Sequence, residues 1–274
     1  MPERGGPCPP LYLCGLLAYH PAVSFLAMAG PVPAIHVFDL SIMSMDTSEQ
    51  REPILNVPAV VVLLLALLGL IHAAREWLLS PQADRLLVMT FGFVPERYED
   101  LWTYVTYAFL HADLMHLGFN AIWLLAFGSP IARRFGTLRF LAFFAVTVAA
   151  GALAHLITHR GELAPMIGAS AAISGTMGGA ARFVFQRGGP LDPWRSRHDD
   201  VDRIPAAPLG VALRNPGVLA FVGVWFGLNL LFGLGSLSIA GADQSVAWEA
   251  HVGGFLVGLL LFSAFDRRPE PAWH

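Results

Sequence analysis

The sequence predicts an all-α membrane protein, a bundle of six transmembrane helices with a structured loop between the first and the second. Three observations carry that prediction. The 274-residue chain is 55% hydrophobic and 14% charged, whereas soluble domains carry about 25% charged residues. Six apolar segments approach the roughly 20 residues needed to cross a bilayer core. Arginines gather in alternate connections between those segments, the pattern that fixes the orientation of a multi-pass protein.

Residues 1–52 read as an N-terminal extension. Pro2, Pro7, Pro9, Pro10, Pro21, Pro31 and Pro33 break its apolar run. The stretch 11–30 is nearly long enough to span, but His20-Pro21 interrupts it, and no basic cluster precedes it as in a signal peptide. The polar run that follows Met43 and Met45 looks like an ordinary N-terminus. The extension is therefore expected to be disordered or the product of an upstream start codon. A membrane domain is expected over 53–268, followed by a tail at 269–274. Its spans fall at about 57–74, 114–131, 140–157, 167–185, 218–234 and 246–265. The connection 80–113 mixes Phe91, Phe93, Trp102, Tyr104, Tyr107 and Phe109 with charges, which predicts a folded or interfacial loop.

All 17 basic residues are arginine. Arg133, Arg134 and Arg139 lie between spans two and three, Arg187, Arg195, Arg197, Arg203 and Arg214 between four and five, and Arg267 and Arg268 after span six. The other connections are poorer in arginine. Positive charge inside then puts both termini of the six-span unit in the cytoplasm of a bacterial inner membrane, and the 188–215 connection with them. The net charge of -3 argues against a nucleic-acid partner. Cys8 and Cys14 both lie in the extension, so neither a disulfide framework nor a cysteine metal site is read. The absence of lysine excludes a Ser-Lys dyad.

The stretch 167–182, Ile-Gly-Ala-Ser-Ala-Ala-Ile-Ser-Gly-Thr-Met-Gly-Gly-Ala-Ala-Arg, is long enough for most of a span yet poorly suited to face lipid. Gly175 and Gly179 have the small-xxx-small spacing that lets helices approach closely. Ser170 stands where that helix would begin, beside unpaired N–H groups and the positive end of the dipole. A serine there is either a cap or a nucleophile. His116 and Asn120, four apart, share a face of span two. His251 lies in span six, near Gly254 and Gly258, which repeat the small-residue spacing. Polar groups at such positions are costly unless they face protein or water. Given the predicted orientation, Ser170, His116 and His251 also lie at similar depth.

Gly168-Ala-Ser170, the stretch His111-Ala-Asp-Leu-Met-His116-Leu-Gly-Phe-Asn120, and Ala250-His251-Val-Gly-Gly254-Phe-Leu-Val-Gly258 resemble the nucleophile, second-span and sixth-span motifs of the rhomboid intramembrane serine proteases, over about residues 53–266. The resemblance implies a six-helix rhomboid-like bundle and a Ser170-His251 dyad without a third acid. It also implies oxyanion donors from the Ser170 N–H, His116 and Asn120, and gate aromatics at Trp225 and Phe226. The implied activity is serine endopeptidase cleavage within or near transmembrane segments of other membrane proteins. The partners are those substrates and the lipid bilayer, with no cofactor and no metal. Two positions depart from the pattern: Ala171 stands where the family usually has Gly, and Thr103 follows Trp102 where many members carry Arg.

The alternative is a non-catalytic rhomboid-like protein that binds transmembrane segments, although inactive relatives usually lack the serine or the histidine. A channel or transporter would be expected to show internal repeats or a central acid. A zinc protease would need His-Glu-x-x-His.

Overall fold

The computed structural model describes residues 57–186, 189, 191, 204–233 and 246–266. The expected extension and tail, Cys8, Cys14 and most of the 188–215 connection lie outside the described residues. Every named element is helical: α1 Ala59–Leu78, α2 Pro81–Phe91, α3 Thr103–Thr106, α4 Leu114–Trp123, α5 Ser129–Phe135, α6 Thr137–Thr158, α7 Ser170–Ala180, α8 Leu209–Ala212, α9 Pro216–Gly233 and α10 Trp248–Phe265. This is the expected all-α membrane bundle.

Among the described residues, five helical stretches are long and apolar enough to cross a membrane: α1, the continuous run Leu114–Phe135, α6, α9 and α10. The second passes from α4 to α5 through a π-helical turn, Leu124–Gly128. The expected fourth span is a helix of only 11 residues, followed by turns. Every residue of α7 from Ala171 to Ala180 is buried. Gly, Ala and Ser present little apolar surface to lipid but let neighbouring backbones come close, so this segment is buried in the bundle, packed chiefly against α10 and α6.

The closeness is concrete at named glycines. A Cβ on Gly254 would fall on the Ala171 carbonyl oxygen, and one on Gly258 on that of Gly175. Gly175 itself backs onto Thr147 of α6, while Gly178 meets the Phe255 carbonyl of α10. Gly179 packs on the side chains of Ile131, Phe143 and Phe262. Helices α7 and α10 thus touch through main chain at these points, while α6 meets α7 through the Thr147 side chain.

The loop 80–113 is folded, as its aromatics predicted. Ser80 caps α2 by accepting from the Ala83 N–H at 3.3 Å. An antiparallel bridge joins Phe93 to Met166, and the Gly168 N–H donates to the Tyr107 carbonyl at 3.0 Å. Tyr107, buried, donates its hydroxyl to the Val148 carbonyl of α6 at 2.9 Å. Trp102 donates its indole N–H to the Thr90 carbonyl, and Thr103, also buried, donates to the Asp100 carbonyl. Those bonds serve the loop in the absence of an arginine at position 103.

The end of the bundle rich in arginine is fastened by buried guanidinium groups. Arg134 pairs with both Asp266 oxygens, at 3.0 and 2.6 Å, and donates to the Ile204 carbonyl at 2.7 Å. Arg182 donates to the carbonyls of Ala207 and Leu259 and to the Ser263 hydroxyl.

Candidate active site

Gly168 has φ +122, a conformation that glycine adopts readily and other residues rarely. It turns the chain into α7 so that Ser170 is its first residue. The first N–H groups of that helix lack intrahelical acceptors and point outward from its N-terminus. Ser170 and His251 are both half-buried. The Ser170 Oγ lies 2.7 Å from His251 Nε2. The contact joins α7 to α10, whose separation is set by the Gly254 and Gly258 contacts just below.

A residue that sequence reasoning missed completes the geometry. His251 Nδ1 lies 2.5 Å from Asn229 Oδ1 on α9. The Asn229 Nδ2 donates to the Trp225 carbonyl at 2.8 Å, which leaves Oδ1 as the group facing the ring. An amide oxygen only accepts, so Nδ1 carries the proton and Nε2 offers its lone pair to the Ser170 hydroxyl. The array is serine, histidine and amide. The available signal was a lone amide inside an apolar span.

His116 is brought to the same place by different means. Asp113 caps α4, its carboxylate accepting from the His116 N–H at 2.8 Å. A Cβ on Gly168 would stand 2.7 Å from His116 Nε2 and 3.8 Å from Ser170 Oγ, so imidazole and hydroxyl flank one small space. Asn120 is buried, and its Nδ2 donates to the His116 carbonyl at 3.0 Å. No hydrogen bond ties it to Ser170. Behind His116 lies His111, fully buried, with the two rings 5.1 Å apart. Burial first, then the charges of His116, His72 and Arg75, push the His111 imidazole down to about 3, with Asp113 opposing.

Ala171 finds its space in the partner helices. A Cβ on Gly151 of α6 would collide with the Ala171 methyl, and one on Gly254 with its carbonyl. The extra methyl is thus matched by missing ones opposite. Trp225 is buried and stacks on Phe255 of α10 with centroids 4.3 Å apart, whereas Phe226 is 42% exposed.

Fold and composition define an integral, multi-pass membrane protein of the helical-bundle class. A rhomboid domain model matches residues 98–267, and the chain belongs to the rhomboid family. It is similar to Rhomboid-like protease 3 of Toxoplasma gondii, 27% identical over 197 residues, 71% of this chain and 64% of that protein. It is also similar to Rhomboid protease GlpG of Haemophilus influenzae, 29% identical over 90 residues, 33% of this chain and 46% of the relative. Rhomboid protease GlpG of Yersinia pestis is 25% identical over 173 residues, 63% of this chain and 51% of the relative. The matched stretches span under two thirds of these curated relatives' own lengths.

Proposed function

We propose that this chain is an intramembrane serine endopeptidase that cuts other membrane proteins in or near their transmembrane segments. One observation carries the reading: the Ser170 Oγ to His251 Nε2 contact at 2.7 Å, with Nδ1 held by Asn229 at 2.5 Å. Family membership and relatives named as proteases support it.

In this reading His251 Nε2 takes the Ser170 proton as Oγ bonds to the scissile carbonyl carbon. The carbonyl oxygen becomes an oxyanion beside the Ser170 N–H and His116, with Asn120 as a further donor. Collapse of that intermediate breaks the C–N bond, and the imidazolium returns its proton to the departing amine. Water then gives a proton to His251 and attacks the acyl-serine, and Ser170 leaves with that proton. Asn229 Oδ1 holds Nδ1–H throughout, so the ring stays correctly oriented. The arginine pattern supports an orientation with the ends of the six-span unit in the cytoplasm and the site toward the outer leaflet, in this reading that of a bacterial inner membrane. The attacked carbonyl must be freed from a helix, so helix-breaking and small residues are favoured around the cut. Trp225 and Phe226 serve as gate aromatics on α9.

The test is cleavage of a labelled model transmembrane substrate by purified protein in detergent. Wild type should cut, while Ser170→Ala and His251→Ala, equally folded, should not. Cleavage by Ser170→Ala would overturn the mechanism. An inert wild type across several substrates would favour a protein that binds transmembrane segments without cutting them.

A further inference from the structure

The sequence calls for no metal, yet the fold brings together three ligand-type side chains that the serine chemistry does not use. His155 and His159 lie four apart near the end of α6, on one helical face. Glu249 stands in the first turn of α10. One ligand atom from each lies within 4.8 Å of the others, close enough for small side-chain rotations to bring all three to the roughly 2.0–2.2 Å that zinc requires. We propose that His155, His159 and Glu249 form a binding site for a late first-row divalent ion, zinc foremost, that bridges α6 and α10 two residues from His251.

Three further observations point to a ligand. His159 Nδ1 faces the Thr158 hydroxyl at 2.8 Å and the His155 carbonyl at 3.3 Å, while that hydroxyl donates to the same carbonyl. Its Nδ1 therefore carries the proton and its Nε2 is left as a lone-pair donor, the arrangement by which a backbone carbonyl orients a metal-binding imidazole. His155 is 8% exposed and its Nδ1 has no hydrogen-bond partner. Among the described residues the Glu249 carboxylate has no ion pair or hydrogen bond, and it and His159 are half-exposed, which leaves a route in from solvent.

The frame is rigid enough to hold such a set. The two imidazoles stack at 4.0 Å and 20°, so ion binding turns the half-exposed His159 ring out of the stack, while the edge of Phe93 lies against His155. Directly below, α6 and α10 are in backbone contact. A Cβ on Gly253 would stand 2.5 Å from the Ala154 methyl, and one on Gly151 2.9 Å from the Ala250 carbonyl. Neither helix can slide without opening those contacts. Two imidazoles and a carboxylate, with water in a fourth position, suit zinc, which is comfortable with such mixed nitrogen and oxygen sets.

The test uses the full chain without an affinity tag in detergent, with Zn2+ as the probe for thermal unfolding and Co2+ for its visible absorption. One ion per chain should bind, Zn2+ should raise the unfolding temperature, and a chelator should reverse the shift. His159→Ala and Glu249→Gln should unfold like wild type without metal and bind about 100-fold more weakly or worse. Ser170→Ala should bind normally, which separates this proposal from the protease reading. No shift in wild type overturns it. So does a shift that survives in the His159→Ala, Glu249→Gln double variant, because the ion then sits elsewhere.

Discussion

Replacing Asn229 by Ala removes the acceptor opposite His251 Nδ1 while leaving serine, histidine and both glycine contacts in place. The bond lost is short, 2.5 Å, and half-buried. During attack the ring becomes an imidazolium, so in the transition state this is a hydrogen bond to a charged group, worth about 1.5–3 kcal/mol. At 1.36 kcal/mol per decade, kcat should fall about 10- to 150-fold. KM should change little, because Asn229 touches the base and not the bound segment. Asn229→Asp keeps an acceptor within the same reach and should recover much of the rate. Initial rates over a range of substrate concentrations, with thermal unfolding of each variant alongside, measure both quantities. A wild-type kcat in Asn229→Ala, or a loss confined to KM, would refute the orienting role, since the bond would then contribute nothing to proton transfer.

Gly254→Ala would place a methyl on the Ala171 carbonyl, and overpacking of that kind costs about 1–3 kcal/mol; thermal unfolding in detergent should show a clear drop, and an unchanged midpoint would mean α7 and α10 separate freely. Gly168→Ala imposes a β-carbon at φ +122 and against the His116 ring, a strain of about 1–3 kcal/mol, and cleavage should suffer more than stability. Arg134→Ala removes the bidentate pair with Asp266, which still interacts with Arg182, and thermal unfolding should show a clear drop, part of which Asp266→Asn in the same chain should restore. Because His111 is pushed down to about 3 from 6.5, the unfolded chain takes up a proton there before the folded chain does. Its contribution to stability is complete above about 6.5 and is lost as pH falls from 6.5 toward 3. His111→Gln should flatten the acid side of a plot of unfolding temperature against pH, and an unaltered slope would count against the assignment.

Much of the bundle was legible because composition and period speak directly to lipid. Five spans follow from apolar length alone. The burial of α7 follows from its surplus of small residues, which could be explained only by close helix packing. What single segments cannot convey is where helices end and which side chains converge. The π-helical turn within the second span has no breaker beyond Gly128 and Pro130 at its end, and the shortness of α7 depends on the loop that feeds it through Gly168. Ser170, His116 and His251 drew notice as polar groups in apolar segments. Asn229 is the same kind of residue, but its meaning depends on α9 lying beside α10. His155, His159 and Glu249 sit 90 or more positions apart across the two helices they would link, and only the Gly151 and Gly253 contacts make them neighbours.

Helix α9 is the loosest of the long helices in this bundle, with Val218 and Trp225 as its buried residues, yet it supplies the amide that steadies the base. Any sideways departure of α9 from α10 must unstack Trp225 from Phe255 and draw Asn229 away from His251 in the same movement. A parting of α9 from α10 at that seam and the Asn229 contact that orients the His251 ring are therefore opposed by construction, while the Ser170 to His251 contact itself involves only α7 and α10.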